Sequence, residues 1–122
     1  MQKVSDPDDP TSDRVKFLPC DDMDPAQMWK FEKEGSNFDY NGLLYNMAGG
    51  CLAVRGDVGD GKNLKVLDCD KSNSKQHWYS DGDSLQPEDY RMVYCVSAST
   101  YPIGPRDPVV LLDCEDTFSL DY

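Results

Sequence analysis

An all-β fold is predicted for this chain by three observations: an internal repeat, the shortness of its apolar runs, and the spacing of its turn residues. Three times an apolar run closes on a cysteine, in Val15-Lys16-Phe17-Leu18-Pro19-Cys20, Leu64-Lys65-Val66-Leu67-Asp68-Cys69 and Val109-Val110-Leu111-Leu112-Asp113-Cys114. The first two are followed seven residues on by Gln-x-Trp (Gln27-Met28-Trp29 and Gln76-His77-Trp78), and the third reaches the same offset at Asp121-Tyr122. Cys20 and Cys69 are 49 residues apart and Cys69 and Cys114 are 45 apart, so one unit has been used three times, over approximately 1–50, 51–94 and 95–122. No window carries a sustained 3.6-residue apolar period, and glycine or proline interrupts nearly every one. Short apolar runs with turn residues roughly every 8–12 positions are the pattern of a sandwich or barrel.

The elements follow in order. Unit one opens at 2–4, crosses the polar loop 5–13 and enters an apolar strand at 15–18. After Trp29 come Lys30-Phe31-Glu32, a turn at Glu34-Gly35-Ser36, a strand over 40–46 and the turn Ala48-Gly49-Gly50. Unit two repeats this with Cys51-Leu52-Ala53-Val54, the loop 55–63 and the run 64–67. Tyr79, the turn Asp81-Gly82-Asp83 and a strand over 90–94 leading into Cys95 follow. Unit three pairs 95–98 with 109–112 across the loop 99–108. The three loops share few residues but the same turn chemistry: glycine for positive φ, proline for fixed φ, aspartate and asparagine for side-chain turns. Four strands in each of three units make a threefold barrel with hairpin caps, a β-trefoil.

Composition bounds the rest. The 122 residues suffice for one domain with one core, and the 39% apolar content is that of a globular chain. Twelve basic against 23 acidic residues give a net charge of −11, which argues against nucleic acid or anionic membrane as partner. No apolar stretch approaches the ~20 residues of a membrane span. Residues 1–10 carry three aspartates and no apolar segment of the kind a signal peptide needs. Cys51 precedes Cys69 by 18 residues and Cys95 precedes Cys114 by 19, each pair bracketing two extended runs and a turn-rich loop. The expected disulfides are therefore Cys51–Cys69 and Cys95–Cys114, each stabilising by about 3 kcal/mol in the loop-entropy account. Counting back 19 from Cys20 lands on Met1 and aligns Val4 with Val54, so Cys20 is expected to be unpaired within this chain or paired outside it. Such a framework implies an oxidising compartment, with the protein secreted or extracellular, or a piece of something larger. Zinc has no CxxC motif to hold it and only one histidine.

Cys-Leu-x-Val, a Gly/Asp loop, an apolar run ending in Leu-Asp-Cys, and Gln-x-Trp, repeated about every 45 residues, resemble the ricin B-type (R-type) lectin family of β-trefoils. Leu44-Tyr45-Asn46-Met47-Ala48-Gly49-Gly50-Cys51-Leu52-Ala53-Val54 is similar to that family's entry to a unit, and the likeness covers essentially the whole chain. It implies a binder of galactose- or N-acetylgalactosamine-type glycans. The family places an aspartate two residues after the first cysteine of a unit, an aromatic two before the second, and an asparagine before the glutamine. Here those positions are Lys3, Ala53 and Ser97, then Leu18, Leu67 and Leu112, then Ala26 and Lys75, so the implied sites are expected in eroded form.

Residual sugar contacts are expected in the cap loops: Asp57, Asp60, Asn63 and Asp68 around the second unit's pocket, and Tyr101, Arg106, Asp107 and Asp113 around the third, with Tyr101 as stacking platform. Gln27, Trp29, Gln76 and Trp78 are read as structural, because an indole N–H needs a partner and a glutamine amide can satisfy backbone groups at a hairpin base. The run Asp57-Val58-Gly59-Asp60-Gly61 lacks the alternating oxygen ligands of a calcium loop, so neither metal nor cofactor is expected. The single histidine, His77, lies within Gln-x-Trp, and no phosphate loop, nucleophile elbow or zinc-protease motif is present, so no catalysis is expected. The expected partner is a glycan or glycoprotein. The alternative is a scaffold or protein-interaction trefoil within a larger assembly. Unit one starts at its second-strand position and unit three stops at its Gln-x-Trp position, so the barrel is expected to be incomplete at the chain ends. A partner chain, a larger parent protein or irregular terminal segments would then complete it.

Overall fold

A computed structural model describes residues 1–6, 12–21, 23–34, 40–81, 84–98 and 108–116, and the fold is all-β. Ten strands occur among these residues: β1 (Gln2–Ser5), β2 (Asp13–Lys16), β3 (Trp29–Glu34), β4 (Tyr40–Asn46), β5 (Cys51–Val54), β6 (Leu64–Leu67), β7 (His77–Ser80), β8 (Leu85–Pro87), β9 (Tyr94–Ala98) and β10 (Val109–Asp113). All pairings are antiparallel, as short loops between successive strands require. The larger sheet runs β1-β2-β6-β5-β4-β7-β8 with β3 paired to β4, and β9 and β10 form a second sheet. Among the described residues neither sheet closes on itself. The two are joined by isolated bridges, Lys16 to Pro108 and Asn63 to Val110.

Three hairpins carry the repeat in their register. In β5/β6, Val54 faces Leu64 and Leu52 faces Val66. In β9/β10, Ala98 faces Val109 and Val96 faces Leu111. In β1/β2, Lys3 faces Val15. The second strands supply matching core residues, Val15, Leu64 and Val109, all nearly sealed from water. Around them cluster Leu52, Val54, Val66, Trp78, Leu85, Val96 and Leu111, with Phe17 and Trp29 packed partly buried against the group. Each such aliphatic side chain stabilises by about 1.5–3 kcal/mol on burial.

This register corrects the sequence alignment of unit one. Lys3, not Val4, occupies the place of Val54, so the family's acidic position falls on Gln2 rather than Lys3. The strand expected at 15–18 forms instead as Asp13–Lys16. Ion pairs hold its polar entry, Lys3 Nζ to Asp13 at 3.4 Å and Arg14 to Asp6 at 3.1 Å. The strand over 40–46 forms as read. The one expected over 90–94 does not: Glu88–Tyr90 is a single 3-10 turn, and the strand starts at Tyr94. Met92 there has φ 66°, and Gln86 Oε1 accepts its N–H at 2.9 Å, a polar anchor strong enough to override the apolar run.

The disulfides Cys51–Cys69 and Cys95–Cys114 form as expected, with Cα atoms 5.0 and 4.9 Å apart. Both are compatible with an oxidising, extracellular setting. Cys20 is a free, exposed thiol. Gly50, immediately before Cys51, has φ +86°, and a Cβ there would collide with Val66 Cγ1, so the turn into β5 requires glycine. The loop between β5 and β6 is stitched onto β10: Gly61 N–H donates to Leu111 O at 2.7 Å, Leu111 N–H to Lys62 O at 2.8 Å, and Asp113 N–H to Asp60 Oδ1 at 2.9 Å. Among the described residues no helix is long and apolar enough to cross a membrane.

Candidate functional site

The segments after Cys20 and Cys69 share one set of backbone, capping and glutamine hydrogen bonds. Asp21 Oδ1 accepts Met23 N–H, as Asp70 Oδ1 accepts Ser72 N–H, each at 3.0 Å. Three residues on, Asp24 and Asn73 cap the 3-10 turns Pro25–Gln27 and Ser74–Gln76 by accepting the N–H of Ala26 and Lys75 at 2.9 and 3.0 Å. Gln27 then clamps its own loop, accepting Asp21 N–H at 2.7 Å and donating to Pro19 O at 2.8 Å. Gln76 does the same with Asp70 N–H at 2.8 Å and Asp68 O at 2.9 Å. The indoles finish the motif: Trp29 Nε1 donates to Met1 O at 3.1 Å and Trp78 Nε1 to Leu52 O at 2.8 Å. Trp29, Gln76 and Trp78 thus spend their polar atoms on backbone, and Gln27 Nε2 donates to the Gln2 side-chain oxygen at 2.8 Å as well as to backbone. His77 Nε2 lies 2.6 Å from Lys71 O in the same loop.

The rigid frame of unit two supports a cleft of about 450 Å³ between the β5–β6 loop and the segment after β8. Val54 and Pro87, from β5 and β8, are its buried apolar walls. Asp57 and Val58 line it from the loop, Ser74 and Lys75 from the 3-10 turn, and Asp89 and Tyr90 from the opposite lip. Tyr90 is 41% exposed, and its ring leans on Tyr94 with centroids 5.7 Å apart. The lip is held by Arg91, which reaches Glu88 Oε1 at 2.7 Å while its guanidinium sits 3.8 Å from the centre of the Tyr79 ring. Lys75 Nζ is 3.7 Å from the fully exposed Asp57 carboxylate, a contact too open to lock either side chain. The cleft therefore combines one partly exposed aromatic face, two carboxylate acceptors, an ammonium and a hydroxyl, a set suited to a small polyhydroxylated ligand.

Below the Gln76 turn the Glu32 carboxylate meets Lys71 at 2.7 Å. Lys71 holds Glu32 below the usual carboxylate range, and Glu32 in turn raises the Lys71 ammonium. The Ser72 hydroxyl and N–H lower Asp70. The Glu32–Lys71 pair ties the second unit's loop to β3, and all four residues stand outside the cleft lining.

The residues singled out from sequence are dispersed. Asp57 lines the cleft. Asp60 is committed to Asp113 N–H, and the Asp113 carboxylate accepts Glu115 N–H at 3.0 Å. Asp68 is exposed and engages Gln76 through its carbonyl. Asn63 lines a different cleft, beside β2 and β6. Tyr101, Arg106 and Asp107 lie outside the described residues. Sequence reasoning missed Asp89 and Tyr90, whose only signal was their place just after Pro87 in the unread strand β8. Ala53, at the family's acidic position, is fully buried. Comparisons with protein-family models, with curated proteins and with solved structures find no match to this chain.

Proposed function

We propose that this chain is a non-catalytic carbohydrate-binding module, built as a ricin B-type β-trefoil, that takes a galactose- or N-acetylgalactosamine-type residue of a glycan or glycoprotein. The trefoil reading rests on the shared register of three hairpins and on the glutamine clamp repeated at an interval of 49 residues. The binding reading is carried by one observation, the cleft that sets an exposed Tyr90 beside Asp57, Asp89 and Lys75. The apolar C–H face of a pyranose stacks on the Tyr90 ring while its hydroxyls donate to the two carboxylates. This site lies beside the family's position, where Ala53 offers no acceptor, and so replaces it rather than restoring it.

Calorimetric titration with galactose and N-acetylgalactosamine, and a glycan array, test the reading. Saturable binding abolished by Tyr90→Ala and weakened by Asp57→Asn is the expected result. Silence toward every sugar from the folded protein would end it. The buried alanine at the acidic position favours the second reading, a scaffold or protein-interaction module within a larger assembly. Sugar silence together with a stoichiometric protein partner would establish that one.

A further inference from the structure

A second cleft, of about 240 Å³, opens where β2 and β6 run side by side, and its lining reverses the charge of the molecule. Of only twelve basic residues in a chain of net charge −11, four line this one space: Arg14, Lys16, Arg55 and Lys65. The two acids in the lining already have cations, Asp6 with Arg14 at 3.1 Å and Asp13 with Lys3 at 3.4 Å. Among the described residues no carboxylate lies within ion-pair distance of Lys16, Arg55 or Lys65. Moreover, Arg14 and Lys65 are direct cross-strand partners in the β2/β6 register. Like charges so placed repel; Asp6 offsets this at Arg14, and no described carboxylate does so at Lys65. The Asn63 amide, also in the lining, adds a neutral donor.

We propose that this cleft is an anion site that takes a tetrahedral oxyanion, sulfate or phosphate, free or as the ester end of a larger ligand. Its volume falls below the about 300–1,000 Å³ of clefts that enclose whole organic ligands, which suits an ion or an end group. The lining lysines and arginines, from β2, β6 and the start of the β5–β6 loop, supply ammonium and guanidinium groups able to donate charge-assisted hydrogen bonds to its oxygens. The site shares none of the Tyr90 cleft's lining residues, so it stands or falls independently of the sugar reading.

Amide chemical-shift titration of the whole chain with sodium sulfate and sodium phosphate, against sodium chloride at matched ionic strength, tests it. Saturable shifts at Arg14, Leu64 and Lys65, absent with chloride, are expected. Lys65→Gln should weaken binding by about tenfold or more, the loss of one charge-assisted hydrogen bond. Arg55→Gln and Lys16→Gln should each weaken it also, while Lys30→Gln, outside the cleft, should not. Three separate variants keep the test valid if one fails to fold. Galactose 6-sulfate binding more tightly here than inorganic sulfate would identify a sulfated glycan as the source, and equal affinity a free ion. No saturable shift beyond chloride, or wild-type affinity in the folded Lys65 and Arg55 variants, overturns the proposal.

Discussion

The segments 20–29 and 69–78 have one backbone hydrogen-bond pattern and very different surroundings. In the second, Trp78 is fully buried, Gln76 is 1% exposed, and the neighbouring hairpin is closed by Cys51–Cys69. In the first, Trp29 and Gln27 are only partly buried, and the hairpin beside them has no disulfide. The polar skeleton is thus local: a side-chain turn after the cysteine, a capped 3-10 turn, then a glutamine clamp. Burial is supplied from outside the segment. The same motif can be a core element in one unit and a half-exposed one in another.

The largest contrast is expected at the tryptophans. Trp78→Ala should cost about 3–5 kcal/mol, the range for emptying a sealed aromatic site. Trp29→Ala should cost about 2 kcal/mol, because less apolar area leaves contact with protein. Urea unfolding measures both, and equal losses would break the comparison. Next come the glutamines. Gln76→Ala removes a buried side chain and leaves the partly buried N–H of Asp70 and carbonyl of Asp68 without their partner, for about 1–3 kcal/mol. Gln27→Ala should cost about 1 kcal/mol or less, since water can reach the groups it leaves. A larger loss at Gln27 would show that local geometry, rather than burial, sets the strength of the clamp.

The smallest effect sharpens the comparison through pH, because only the second segment carries the Glu32–Lys71 pair. The folded state lowers the pKa of Glu32, so its share of stability is present above the unfolded carboxylate value and is lost as pH falls through the lowered folded one. Asp70 behaves likewise. Lys71 is raised, so its share is full below its unfolded value and disappears as pH rises through the raised one. Melting temperature against pH should therefore fall at both extremes, and Lys71→Gln should flatten both flanks. A variant curve parallel to wild type at both ends would remove the pair from the account.

Much of this was legible because it is short-range. Cysteine spacing identified both disulfides, and the turn Ala48-Gly49-Gly50 marked the end of the strand Tyr40–Asn46. The Gln-x-Trp motif announced the clamp, although its turn and capping companions Asp21, Asp24, Asp70 and Asn73 went unread. What failed depended on distant partners. The one-residue register of β1 is set by Val15 opposite Lys3 and by the Trp29 indole on Met1 O, neither of which alignment by spacing reveals. The strand expected over 90–94 gave way to a turn anchored by Gln86. Neither cleft was visible, because Tyr90 meets Asp57, and Arg14 meets Lys65, only after assembly. Net charge concealed the second outright: an average over 122 residues says nothing about four cations gathered in one place.

The loop between β5 and β6 has two faces, with Asp57 and Val58 turned to the cleft and Asp60, Gly61 and Lys62 stitched to β10. Whatever fills the cleft therefore grips the same short stretch of backbone that fastens the third hairpin. On the proposed reading, a ligand that requires the ordered loop should slow amide exchange in β9 and β10, and loosening that hairpin should weaken the ligand by the same factor. The loop that lines the cleft is also the latch of the third hairpin.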